Sequence, residues 1–193
     1  MDQNKNLAEL LFPHIDKTPE YYEALYPQRQ LPEGARVTRF APSPTGYLHI
    51  GGLFGALVDV LTARSTGGVA YLRIEDTDKK REIDDGVSAI INGFDYFGVA
   101  FDEGVTGFGT EKGDYGPYTQ SHRAEIYQTV AKSLVEKGLA YPCFCTEDEL
   151  SALREKQEAN KETTGYYGKY AVWRDRPMED IQAQLAAGNP WVL

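Results

Sequence analysis

The chain has 193 residues, 41% of them hydrophobic and 25% charged, a balance that supports a sizeable core and excludes a disordered or fibrous chain. Its net charge of −9 argues against a generally basic nucleic-acid-binding surface, although a local positive groove is compatible with that sum. No apolar stretch is long enough to span a membrane and no basic-plus-apolar signal peptide opens the chain, so the cytoplasm is the expected compartment. Residues 1–36 hold two short amphipathic stretches, Leu7–Phe12 and Glu20–Tyr26, and their four aromatic residues Phe12, Tyr21, Tyr22 and Tyr26 imply that they pack on something.

Val37 to Phe40 reads as a strand. It runs into a loop stiffened by Pro42 and Pro44, each of which fixes φ and lacks an amide donor. A helix follows from about Gly52 to Ser65, with apolar residues at 53, 54, 57, 58 and 61. Gly51 and Gly52 let a ligand approach the backbone where that helix opens. Free N–H groups and the positive dipole end suit a phosphate there, and His49 can donate to the same ligand. Gly67 and Gly68 stop the helix, and Val69 to Ile74 reads as the next strand. Strand, helix, strand over this length predicts a parallel βαβ unit with a right-handed crossover. Ligands bind beyond the carboxyl ends of such strands. The loops 41–49 and 75–79 both leave from that edge, so Arg39, Ser43, His49 and Glu75 should meet at one site.

Further along, Ile83, Val87, Ile90, Ile91, Phe94 and Phe97 predict a helix from about Arg81 to Phe97, with acidic residues at 82, 84 and 85 favouring its start and Gly98 ending it. Val99 to Phe101 reads as a strand, and glycines at 104, 107, 109, 113 and 116 as a loose connector. Ser121 is placed to cap a helix from about His122 to Lys137. Cys143 and Cys145, one residue apart, are poorly spaced for a disulfide and suggest a metal pair. Thr146 and Glu149 form a capping box for a helix over 147–159. Glu179 to Ala187 is another short helix, and 189–193 reads as the start of a strand.

Three strings carry a resemblance. Arg39-Phe40-Ala41-Pro42-Ser43-Pro44-Thr45-Gly46 followed by His49-Ile50-Gly51-Gly52 resembles the ATP-binding signature of class I aminoacyl-tRNA synthetases, in the form of the glutamyl-tRNA synthetase branch. Tyr71-Leu72-Arg73-Ile74-Glu75-Asp76-Thr77-Asp78 is similar to that branch's second motif. Tyr118-Thr119-Gln120-Ser121-His122-Arg123 is similar to the stretch that opens the insertion receiving the acceptor end of tRNA. The resemblance implies an α/β fold: the first half of a doubly wound, Rossmann-like parallel sheet over 37–118, and part of a mainly helical acceptor-end-binding insertion over 119–193. Residues 1–36 then form an N-terminal extension. No Lys-x-Ser-Lys-like loop occurs, so an N-terminal fragment is expected, inactive alone, whose open sheet edge invites association between copies.

By the same resemblance, glutamate and ATP, the latter with Mg, give a glutamyl-adenylate, and the glutamyl group then passes to tRNA. Arg39, Ala41, Ser43 and Glu75 match the glutamate contacts, with Asp76 and Asp78 as competing acids for the amine. His49, Gly51 and Gly52 match the catalytic ATP contacts. Gln120, Ser121 and Arg123 match the tRNA acceptor region. Many relatives complete a zinc site at the Cys143–Cys145 segment with a tyrosine and a third cysteine. The matching stretch, 165–174, has tyrosines but no cysteine or histidine, so zinc is not expected and two reduced thiols are. Two alternatives stay open: a glutamyl-queuosine-type tRNA-modifying paralogue, and a non-catalytic binding module.

Overall fold

A computed structural model describes residues 3–193 of the chain; Met1 and Asp2 of the expected N-terminal extension lie outside the described residues. The chain divides into two compact units. One runs from Pro19 to Tyr127; the other joins the segment up to Thr18 with Gln128–Leu193. The extension is therefore shared out between the two units rather than forming one piece.

The Pro19–Tyr127 unit is built on a four-stranded sheet of order β1-β2-β3-β4. β1 (Val37–Phe40) and β2 (Val69–Leu72) pair in parallel, Val37 opposite Val69 through Phe40 opposite Leu72, and α3 (Ile50–Ser65) connects them. This is the expected βαβ unit. Strand alternation sends Phe40, Ala70 and Leu72 to one face. There they join Leu53, Ala56, Val60 and Ala63 of α3, together with Ile90, Phe94 and Phe101, in one core. Gly68 is required at the entry to β2: a Cβ there would lie 1.8 Å from the Arg36 carbonyl oxygen. Hydrogen bonding outlasts β2 on both sides. Arg73 and Glu75 donate to Phe40 and Pro42, while Ile74 takes part in a parallel bridge with Thr119.

Four expectations need correction. α4 spans Gly86–Tyr96, not 81–97, and the acidic residues at 82, 84 and 85 precede it. The Ile83 amide is bound to the Pro44 carbonyl at 3.0 Å, which holds this stretch out of the helix. Val99 and Phe101 are buried, but the strand is β3 (Glu103–Gly107), parallel to β2 and antiparallel to β4 (Thr110–Lys112). The expected loose connector is thus largely a hairpin. Gly104, at φ +123°, is glycine because a Cβ would meet the Leu72 carbonyl at 2.3 Å. Ser121 does not cap a helix: Gln120–Arg123 is a 3₁₀ turn leading into α5 (Ala124–Glu136).

The remainder of the extension in this unit comprises α2 (Pro19–Leu25) and the segment to residue 36. Arg29 makes a bidentate pair with Glu103 at 2.5 and 2.6 Å, and Tyr26 stacks on Tyr115.

In the second unit, α1 (Gln3–Leu11) buries Leu7, Ala8 and Leu11 against Val135, Phe144 and Ile181. Lys132 ties down the following turn through the Ile15 carbonyl at 2.7 Å. α6 (Glu147–Ala159) starts on the expected Thr146–Glu149 capping box, and α7 spans Met178–Ala186. Val192 pairs with Cys143 in an antiparallel bridge, where the start of a strand is expected. No helix among the described residues is long and apolar enough to cross a membrane.

Candidate active site

The first two motifs are joined by backbone. The loop after β1 has carbonyls but, at its prolines, no amides to offer. Pro42 accepts from the Glu75 amide and Pro44 from the Ile83 amide, both at 3.0 Å. Loop 41–49 and the segment after β2 therefore lie side by side at the carboxyl edge of the parallel pair. Arg39, at the end of β1, reaches the Glu75 carboxylate at 3.3 Å. Both side chains remain partly open, 44% and 32% exposed.

His49 is the N-cap of α3, and its Nδ1 accepts from the Gly51 amide at 3.1 Å. In the neutral ring the proton then sits on Nε2, which is left as an exposed donor. The two glycines leave room for neighbours. A Cβ on Gly51 would press on the His49 ring at 3.0 Å, and one on Gly52 would meet Leu48 at 3.1 Å. A side chain at either position would thus need a small shift of the His49 ring or the Leu48 side chain. A cavity of about 260 Å³ opens beside them, with Ser43, Thr45, Tyr47, His49, Gly52 and Ile90 in its lining. Arg39 and Glu75 do not line it. Arg39 and Phe40 are consecutive in a strand, so their side chains leave opposite faces; Phe40 lines the cavity and Arg39 does not. Ala41 is half-buried.

The third motif meets the second through Asp76, only 7% exposed. Its carboxylate accepts from the Ser121 amide at 2.8 Å, the Ser121 hydroxyl at 2.6 Å and Lys79 Nζ at 3.2 Å. Burial pushes the Asp76 carboxyl up, but the Ser121 donors and Lys79 outweigh it and hold the pKa below its ordinary value. Thr77 adds a bond from its hydroxyl to the Gln120 side-chain oxygen at 3.3 Å. Arg123 donates to the Pro117 carbonyl at 2.7 Å. Sequence reasoning treats Asp76 only as a competitor of Glu75 and misses this latch. A run of acids 45 positions from its serine partner gives no sign of which one is buried. Asp78 instead pairs with Arg81 at 2.5 Å on the surface.

In the other unit Cys143 is buried and Cys145 half-buried, both as free thiols. Cys145 Sγ lies 3.8 Å from the Tyr166 hydroxyl. Burial pushes both Cys145 and Tyr166 upward, toward their neutral forms. Among the described residues no group of three or more His, Cys, Asp or Glu side chains is placed to hold a metal ion.

Residues 36–193 match the family described as tRNA synthetases class I (E and Q), catalytic domain. The chain is 54% identical over 189 residues to a glutamate–tRNA ligase of Clostridium perfringens (strain 13 / Type A), covering 98% of this chain and 35% of that protein. It is 53% identical over 190 residues to the ligase of Acetivibrio thermocellus, covering 98% and 35%. The chain thus spans about a third of the length of these relatives, and the match takes in most of residues 1–36. Among solved structures, a glutamate tRNA ligase from Elizabethkingia meningosepticum in complex with its amino acid superposes with a TM-score of 0.71 at 36% identity, covering 83% of this chain and 32% of that one. On the sheet, the three motifs and these matches, the chain belongs to the class I tRNA synthetases (E and Q), within their catalytic domain.

Proposed function

We propose that the chain supplies the amino-acid site and one wall of the ATP site of a glutamate–tRNA ligase. The observation that carries this reading is the Arg39–Glu75 pair, 3.3 Å apart, at the strand edge from which the His49-Gly51-Gly52 turn also leaves. A cation and an anion side by side match an amino acid, whose carboxylate needs a guanidinium and whose ammonium needs a carboxylate. Ser43 and the Ala41 backbone add hydrogen bonds to the same substrate. The exposed His49 Nε2 and the amino end of α3 suit the ATP phosphates, which bring Mg with them.

The glutamate carboxylate oxygen attacks the α-phosphorus, and the bond to pyrophosphate breaks. The terminal ribose hydroxyl of tRNA then attacks the acyl carbon, and AMP leaves. The residues act by positioning and by meeting charge, which is where such reactions gain most of their rate. Gln120, Ser121 and Arg123 border the path of the tRNA acceptor end, and the reaction belongs to the cytoplasm, where charged tRNA is used. Two thiols and a tyrosine fall short of the four ligands of a structural zinc, so the Cys143–Cys145 pair works without one. β1 lies at one edge of the sheet, and copies of the chain associate there.

The test is ATP–pyrophosphate exchange by the protein at the full length of its relatives. Exchange should depend on glutamate and not on glutamine or aspartate. Exchange supported equally by glutamine, or by none of the three, would overturn the reading.

A further inference from the structure

A second cavity of about 230 Å³ lies on the sheet face that carries Val37, Tyr71 and Arg73, with Tyr118 of the core in its wall. Its walls include Tyr26, Tyr71, Tyr118, Arg29, Arg73 and Arg123. The three arginines differ in kind. Arg29 is already neutralised by Glu103 and lies 3.6 Å over the Tyr115 ring. Neither Arg73 nor Arg123 is paired with a carboxylate among the described residues. Arg73 faces the Tyr71 ring at 5.5 Å, and Arg123 faces Tyr127 at 5.8 Å. The Nε of each is buried without a hydrogen-bond acceptor. Burial, and then the nearby charge of Arg123, push the Arg73 pKa down.

Buried donors and charges are costly unless paired. Two guanidiniums in the wall of one cavity, neither paired with a carboxylate, ask for an anion with several oxygens. A single carboxylate would neutralise one of them. A phosphate monoester carries close to two negative charges near neutral pH, and its oxygens fit the guanidinium fork. We propose that the Arg73–Arg123 cavity binds a phosphate dianion. Inorganic phosphate and a phosphate ester of a sugar share that chemistry.

Arg123 is shared with the tRNA path of the ligase reading, and the test uses no ATP, glutamate or tRNA. Calorimetric titration of the 193-residue chain with inorganic phosphate, and separately with ribose 5-phosphate, should give saturable binding. Acetate at equal ionic strength should not. Arg73→Gln and Arg123→Gln should each weaken binding about tenfold or more, the loss expected on removing a charge-assisted hydrogen bond. His49→Ala, which alters the other phosphate-compatible site, should leave this binding unchanged. Arg73→Lys, which keeps the charge and loses the fork, should bind with intermediate affinity and decides the matter where a glutamine variant does not fold. Tighter binding of ribose 5-phosphate than of phosphate identifies an ester as the natural ligand, and the reverse identifies free phosphate. Absence of saturation, equal binding in the Arg73 and Arg123 variants, or loss only in His49→Ala would overturn the proposal.

Discussion

Asp76→Asn tests whether the second and third motifs are held together by one buried carboxylate. The substitution keeps the shape but turns an acceptor-only group, bound to the Ser121 amide and hydroxyl at 2.8 and 2.6 Å, into one that presents an NH₂. A hydrogen bond to a charged group contributes about 1.5–3 kcal/mol, and two that share one carboxylate do not add fully, so the expected loss is about 2–4 kcal/mol. Lys79 is 61% exposed and adds little. At a urea slope of about 2 kcal/mol/M the unfolding midpoint of the Pro19–Tyr127 unit should fall by about 1–2 M. Ser121→Ala removes only the hydroxyl bond and should cost less, and the double variant should reveal a coupling of about 1 kcal/mol or more. The pH dependence has a definite sign. The folded carboxyl titrates below its ordinary value of 3.8, so the latch is fully formed above that value and is lost as pH falls through the lower folded one. The gap between parent and Asp76→Asn should therefore narrow only in strong acid. Additive single variants, or a midpoint shift under about 0.3 M, would refute the latch.

Arg39→Ala, in the protein at the full length of its relatives, should raise the glutamate KM sharply while ATP affinity holds. Removing one member of a close charge pair costs about 2–5 kcal/mol, and an unchanged glutamate KM in exchange kinetics would refute the assignment. Gly104→Ala should destabilise by about 2–5 kcal/mol, because a Cβ 2.3 Å from the Leu72 carbonyl forces the strands apart at a φ of +123°. Gly109→Ala, at φ +69° with open space around it, should cost about 1 kcal/mol in the same urea experiment. Elemental analysis of the purified protein should find no stoichiometric zinc, and one tightly held equivalent would show that the ligand set near Cys143 and Cys145 extends beyond the two thiols and Tyr166.

The βαβ unit was legible because its signals are local: two apolar strands, a helical repeat between them and glycines at the turns. So was the approach of Arg39 to Glu75, since a parallel connection returns both loops to one edge, although Ser43 and His49, expected with them, line a cavity that neither enters. What escaped the sequence was decided by tertiary contacts. The pattern from Arg81 to Phe97 is helical throughout, yet the Pro44 carbonyl captures the Ile83 amide and the helix starts only at Gly86. Gly104 looks like the turn glycines that follow it, and only the proximity of Leu72 separates a strand glycine from a loop glycine. Ser121 has the identity of a cap, but a buried aspartate 45 positions earlier claims both of its donors.

These contacts share a geometry. After β2 the chain hydrogen-bonds on two sides at once: Arg73 and Glu75 donate toward Phe40 and Pro42, while Ile74 donates to Tyr118 and accepts from Gln120. One extended segment therefore sets the spacing of all three motifs. Pro42 and Pro44 contribute to it by what they lack. A loop that offers carbonyls without amides at those positions accepts from the second motif and cannot donate in the opposite register. The carboxylates divide the remaining work by burial. Glu75, 32% exposed, meets Arg39 at the open strand edge, while Asp76, 7% exposed, directs its charge inward to fix the frame that holds Glu75. Adjacent acids in an extended chain leave opposite faces, and that alternation lets consecutive carboxylates serve an open edge and a buried joint separately.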